Sequence, residues 1–94
     1  MIMKDFNYMQ AFKEKQVEIK EKYGDAIILF RVSDLYMAVD EDASACGRVL
    51  GISVSVCGAV GVRSSAFPNH CLDVYLPKLI RAGHRICICE NPWH

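Results

Sequence analysis

No stretch of this 94-residue chain stays apolar for anything near the ~20 residues that a membrane-spanning helix needs. The first residues, Met1-Ile2-Met3-Lys4-Asp5, lack the long apolar core of a secretion signal, which places the protein in the cytoplasm. There is no net charge either: 11 basic residues balance 11 acidic ones. A strong stand-alone nucleic-acid binder would usually carry a basic excess, although a local basic patch remains compatible with this balance. No GxxxxGK[ST] loop is present, and the glycines at 58 and 61 open no helix, so an NTPase activity within these residues is excluded. Internal repeats and low-complexity tracts are also missing.

What the chain has is apolar content, 52% of residues, and five cysteines. Its length suits one domain, spanning 1–94, with a single modest core. The odd cysteine count without a secretion signal points to reduced, buried, small apolar residues rather than a disulfide framework.

Residues 5–23 predict an amphipathic helix, with Asp5 or Asn7 as its cap. Met9, Phe12, Gln16, Ile19 and Tyr23 make one stripe, and lysines and glutamates fill the other faces. Gly24-Asp25 turns the chain. Ala26–Arg31 is then a strand apolar enough to be buried on both faces, and Leu35–Val39 pairs beside it. Asp40 is placed to cap a helix over 41–50, with Glu41 and Asp42 in its first turn and Gly51 as its stop. Gly47 inside that helix is unfavourable unless it permits close packing.

Ile52-Ser-Val-Ser-Val56 alternates strictly, which predicts a half-buried strand. A glycine-bounded turn over 57–61 leads to a returning strand over 62–66. Phe67-Pro-Asn-His70 leads into a third helix, whose apolar face is Leu72, Tyr75, Leu76, Leu79 and Ile80. Pro77 should kink it or leave its first turns irregular. Gly83 closes the helix, Arg85–Cys89 is a last strand, and Pro92 lies in a short tail. The order α-β-β-α-β-β-α-β has no regular βαβ repeat, so the class is α+β, a mixed sheet flanked by helices.

Candidate chemistry is sparse. Cys87 and Cys89 lie on one face of the last strand, with His70, Cys71, His84 and His94 as further ligand types, yet zinc pairs are usually CxxC and no second pair exists. Buried core cysteines are the simpler reading, with no metal and no cofactor. Cys71 beside His70 suggests a nucleophile and base, but neighbours at a helix start point apart and no third group orients them. His70 then serves a structural role. Among the basic residues, Arg63 and the Lys78–Arg81 pair are candidates to meet in space as a phosphate-contacting patch, against a plain solvated surface.

Composition and periodicity do not reach a function. The order of residues does. The run Ile28-Leu-Phe-Arg-Val-Ser-Asp-Leu-Tyr-Met-Ala-Val-Asp-Glu-Asp-Ala43 resembles LFFRMGDFYEMFYDDA, a pattern of the N-terminal mismatch-recognition domain of the MutS family of DNA mismatch repair proteins. Leu50-Gly-Ile-Ser-Val54 is similar to that family's LDITL, and Phe67-Pro-Asn-His70 to its VPYH. Tyr75-Leu-Pro-Lys-Leu79, Gly83 and Ile88-Cys-Glu90 are similar to its YLPKLVKLGxxVAICEQ, and Tyr8–Tyr23 resembles its opening helix. The resemblance covers about residues 8–91 in collinear order.

The resemblance implies a mixed α/β domain that clamps double-stranded DNA. A phenylalanine stacks on the mispaired base and a glutamate two residues later hydrogen-bonds it. Here Leu35 and Met37 stand at those positions, while Arg31, Asp34 and Tyr36 match and Ser33 replaces a glycine. Leucine still serves as an apolar wedge but has no π-face for stacking. The basic hairpin that follows LDITL keeps only Arg63. The DNA-contacting candidates are therefore Arg31, Leu35, Tyr36, Met37, Arg63, Lys78 and Arg81. The ATPase, clamp, lever and dimerisation parts of the family's full-length members are absent from these residues. The expectation is a stand-alone, non-enzymatic module that binds DNA weakly. Its alternative is a protein-interaction or decoy module that keeps the scaffold, as a monomer or as a homodimer paired through a bare sheet edge.

Overall fold

The computed structural model describes residues 2–57 and 61–91. Helix α1 (Ile2–Tyr23) precedes strands β1 (Ile27–Val32) and β2 (Leu35–Val39), then helix α2 (Glu41–Leu50). Strands β3 (Ser55–Cys57) and β4 (Val62–Pro68) follow, and a 3-10 turn (Asn69–Cys71) opens directly into helix α3 (Leu72–Arg81) before strand β5 (Ile86–Cys89). The predicted element order and the α+β class hold. The sheet order is β3-β4-β2-β1-β5, antiparallel except where β5 runs parallel to β1.

Burial of β1 on both faces organises three layers. Ile28 and Phe30 point to α1, where Phe12 is fully buried and Met9 and Ile19 pack alongside. Phe12 and Phe30 meet with ring centroids 5.0 Å apart. Ile27 and Leu29 point the other way, into a core built with Tyr36, Ala38, Phe67, Leu79 and the Ala43–Cys46 side of α2. The period of two along β1 thus supplies one residue in turn to each core. Among the described residues, no helix is long and apolar enough to cross a membrane.

A buried polar cluster joins these layers. Asp42 is only 3% exposed. Its Oδ2 accepts from the Ile28 N–H at 3.0 Å and from Gln16 Nε2 at 2.9 Å, and its Oδ1 faces Lys20 Nζ at 3.0 Å. Gln16 also donates to the Val39 carbonyl, and Lys20 to that of Ala26, both at 2.8 Å.

Several expectations change in detail. Helix α1 begins at Ile2, so Asp5 and Asn7 lie inside it and do not cap its start, because the residues before them are helix formers with no breaker. Tyr23 leaves the stripe and is exposed, since the helix outruns the sheet before Gly24 turns the chain. Asp40 sits at the start of α2 but makes no side-chain cap bond; its carboxylate turns to Lys13 and Arg63. Gly51 closes α2 in a left-handed conformation, with its N–H on the Gly47 carbonyl at 3.0 Å.

The strand expected from Ile52 begins only at Ser55, and Val54 and Val56 are exposed. Residues 52–54 pack against α2 instead: a Cβ at Gly47 would stand 2.6 Å from the Val54 side chain, which is the close approach that glycine permits. Strand β4 runs two residues further than expected, because Phe67 and Pro68 pair with Tyr36 and Leu35. The 3-10 turn is the irregular start anticipated for the Pro77 helix, whose Ile80 is exposed rather than packed. The turn expected over 57–61 and the tail's last three residues fall mostly outside the described residues.

Of the cysteines, Cys46 is buried, whereas Cys71, Cys87 and Cys89 are only partly so, and these four are free. Burial pushes the Cys46 thiol up to about 11, so it behaves as a small core hydrophobe.

The two-residue β1–β2 turn places Ser33 at φ 55, the first-position conformation that hairpins usually give to glycine. Ser33→Gly should therefore raise stability by about 0.5 kcal/mol, the left-handed penalty of ~1 kcal/mol offset in part by glycine's greater unfolded-state entropy. Urea unfolding checks this, with Ser33→Ala as a control that should show no gain.

Candidate nucleic-acid interface

The register of the sheet decides which candidate residues share a surface. At the β1–β2 hairpin end, Val32 pairs with Leu35 and Arg31 with Tyr36. Leu35 also stands opposite Pro68, and the Asn69 N–H bonds the Asp34 carbonyl at 2.7 Å, so the turn is tied to the end of β4. With partners on both sides, the hairpin end is held firmly, yet Leu35 itself is 40% exposed.

Alternation separates the neighbours of Leu35. Leu35 and Met37 share the α1 face with Val39, and Met37 is partly buried against the Phe12–Phe30 cluster. Tyr36 points to the other face, where it is buried beside Phe67 with centroids 6.0 Å apart. Its hydroxyl donates to Glu90 Oε2 at 2.7 Å. That bond and burial raise the Tyr36 pKa above its usual value. Arg31 closes the group: its guanidinium carbon is 5.5 Å from the Tyr36 ring centroid and Nη1 is 3.5 Å from Glu90 Oε1. Arg31 Nε donates to the Ser33 carbonyl at 2.7 Å. Arg31, Tyr36 and Glu90 thus form one interlocked cluster beneath the tip.

Arg63 lies elsewhere. It is five residues before Pro68 on β4, roughly 17 Å along the strand from the position opposite Leu35. Its Nη1 donates to Ser44 Oγ at 2.8 Å and its Nη2 to Asp40 Oδ1 at 3.1 Å, so its guanidinium is already engaged by side chains of the same chain. Lys78 stands over the Tyr75 ring at 5.8 Å, and Tyr75 meets Phe67 edge-on at 5.0 Å. Arg81 is exposed at the end of α3, which leads through Gly83 to the start of β5 beside Ile27. The structure gathers Arg31, Leu35 and Tyr36 at one end of the sheet. Arg63 and Arg81 lie at the other, Arg63 against the start of α2 and Arg81 near β5.

Cys87 and Cys89 pack toward α1. Among the described residues, no three His, Cys, Asp or Glu side chains are grouped to hold a metal ion; His94 lies outside them. Sequence reasoning missed Glu90 as the partner of Arg31 and Tyr36. The only signal for it was its place in the Ile88-Cys-Glu90 block, which says nothing of a bond across the sheet.

Comparison with known proteins adds the family frame. A family model described as MutS domain I matches residues 10–93. The chain is similar to the DNA mismatch repair protein MutS of Porphyromonas gingivalis at 49% identity and to that of Flavobacterium johnsoniae at 46%, each over 77 residues. The MutS of Salinibacter ruber matches at 46% over the same length. Each match covers 79% of this chain but only 8–9% of the relative.

The Asp40 cluster carries a pH-dependent prediction. The bond from Lys13 holds the Asp40 carboxyl below the ordinary 3.8; burial opposes this and the Arg63 bond adds to it. A carboxyl lowered on folding stabilises above its unfolded value, and that contribution is lost as pH falls through the folded one. Asp40→Asn, which keeps the size and shape of the side chain, should cost about 1 kcal/mol at pH 6. The gap from the native protein should narrow as pH falls below the ordinary carboxylate value and through the lowered folded one. Urea midpoints across pH check this, and a gap that does not change with pH contradicts it.

Proposed function

The chain belongs to the MutS domain I family, and from that membership we propose that it binds duplex DNA through the β1–β2 hairpin end, with Leu35 as an apolar wedge. The observation that carries this is the exposure of Leu35, 40%, at the tip of a hairpin pinned on both sides. A wedge works only if its support does not yield as base steps are unstacked. The Arg31–Tyr36–Glu90 cluster and the Asn69–Asp34 bond supply that support.

The same positions limit what the wedge can read. Leucine has no π-face, so base stacking contributes less than an aromatic residue would give. Met37 is partly covered by the α1 core and has no carboxylate with which to accept a hydrogen bond from a base. The chain's neutral charge leaves a small phosphate term. Binding is therefore weak, and any discrimination follows the ease of unstacking rather than a pattern of hydrogen bonds. The module acts by binding and not by catalysis.

A protein-interaction role without DNA contact is the second reading. It is favoured by the engagement of Arg63 with Asp40 and Ser44, which withdraws the basic residue closest to the β3–β4 hairpin.

Fluorescence anisotropy with a short labelled duplex, matched or carrying a G·T mismatch or one-base bulge, at ~50 and ~200 mM salt separates these readings. Weak binding with a preference for the bulge, lost in Leu35→Ala, is the expected result. Binding at low salt alone and blind to the mismatch would remove the wedge and leave a phosphate patch. No binding at either salt would overturn the DNA reading in favour of a protein partner.

A further inference from the structure

Pairing across the sheet sets what lies beside Leu35. Opposed residues of antiparallel strands share a face, so Leu35 stands with Pro68, and the next row on that face is Met37 with Ala66. Helix α1 covers this face where Phe30, Val39 and Val62 pack with Phe12. Toward the hairpin end Ala66 and Pro68 are exposed and Met37 is only partly covered. Arg31 and Arg63 alternate onto the opposite face, beside Tyr36 and Ser44. Met37, Ala66 and Pro68 therefore form an uncharged strip next to Leu35, and its side chains offer no hydrogen bond beyond the weak thioether of Met37.

A duplex that admits Leu35 between its bases lies against this strip, because the strip consists of Leu35's own neighbours. Pro68 is directly across, at about 5 Å between Cβ atoms. Met37 and Ala66 are about 7 Å further along the strands, the length of about two base-pair rises. The strip thus reaches the nucleotides next to the opened step. Apolar wedges enter from the minor groove, and the walls of that groove are sugars.

We propose that the strip seats the deoxyribose walls beside the opened step and restricts the site to DNA, with Ala66 as the residue that decides between deoxyribose and ribose. The inference rests on the reading of Leu35 as a wedge. Deoxyribose presents only C–H groups at its 2′ carbon, and these pack on alanine and proline. Ribose presents a hydroxyl there, at the minor-groove edge. Pressed against Ala66, that hydroxyl gives up water and gains no partner. Phosphate contacts do not distinguish the two sugars, and the zero net charge keeps their share small.

The test uses the 94-residue chain and fluorescence anisotropy at ~50 mM salt. Three duplexes carry the same one-base bulge. One is all-deoxy, one has ribonucleotides at the two positions on each side of the bulge in both strands, and one has 2′-fluoro nucleotides at those positions. Fluorine imposes much of the ribose pucker but donates no hydrogen bond. Ribose should weaken binding roughly tenfold, and fluorine much less. Ala66→Ser supplies a partner for the hydroxyl, on a strand that already holds Ser64 and Ser65. It should bind the all-deoxy duplex as the native chain does and recover most of the affinity lost to ribose. Equal binding of ribose and deoxyribose overturns the proposal and leaves the wedge standing. So does an equal loss with ribose and fluorine, which would make helix shape the cause, or a ribose penalty that a folded Ala66→Ser leaves unchanged. If the all-deoxy bulge is not bound either, the wedge reading itself fails and this proposal falls with it. If Ala66→Ser fails to fold, the three duplexes alone decide.

Discussion

One buried carboxylate holds the layers of this domain in register. Asp42 sits at the start of α2, yet its oxygens are spent on α1 and β1: the Ile28 N–H, the Gln16 amide and the Lys20 ammonium. A buried charge is costly unless it is paired and its remaining lone pairs are satisfied. Here the pairing is ionic on one oxygen and doubly hydrogen-bonded on the other. The need arises from the sheet itself. Strand β2 pairs with β1 only at Phe30, Arg31 and Val32. In that register Val39 would stand opposite Ile28, but the ladder stops at Phe30, and the Ile28 N–H bonds the Asp42 carboxylate instead. The side chain of Asp42 takes the place of the missing ladder bond. Gln16 and Lys20 do the same for the Val39 and Ala26 carbonyls.

From that fixed point the rest follows in space. With the start of β1 anchored, its alternating residues fill one core under α1 and another under α2 and α3. Its far end carries the hairpin, where Tyr36 goes into the core and Leu35 is left outside. Several of the chain's charges engage one another, Arg31 near the hairpin and Arg63 at the other end of the sheet. Arg31 answers Glu90, Arg63 answers Asp40, and Lys13 joins Asp40 as well. A chain with zero net charge has little long-range pull on phosphate, so what it offers a duplex is shape and an apolar tip.

Much of this was legible in the residues. The β-branched and aromatic run at 27–30 announced a strand buried on both faces, and the Asp40–Gly51 boundaries of α2 came from its acidic start and glycine stop. What escaped the sequence was long-range pairing. Gln16 fell on the correct stripe of α1, but a stripe does not say that an amide there meets a carboxylate 26 residues on. Asp42 looked like an acid favouring a helix start, because local charge patterning has no term for a backbone N–H arriving from another strand. The alternation of Ile52–Val56 promised a half-buried strand, and only Ser55–Cys57 pairs with β4, because residues 52–54 pack against α2 at Gly47. Arg63 and Glu90 were visible as charges, while their engagement depended on the fold. At the candidate interface the family pattern located Leu35, and only the structure showed that its neighbour Tyr36 is locked while Leu35 is free to reach outward.

The most direct test of this account is the urea unfolding free energy of Asp42→Asn. This substitution keeps size and shape, removes the charge facing Lys20, and places an amide where acceptor oxygens are needed. A loss of ~3 kcal/mol or more, the cost of breaking a buried pair from one side, is the predicted result, and it would be a large part of the stability of a domain this size. A loss under ~1 kcal/mol, in the range of an ordinary exposed ion pair, would contradict the claim that Asp42 substitutes for the missing ladder bond and holds the layers together.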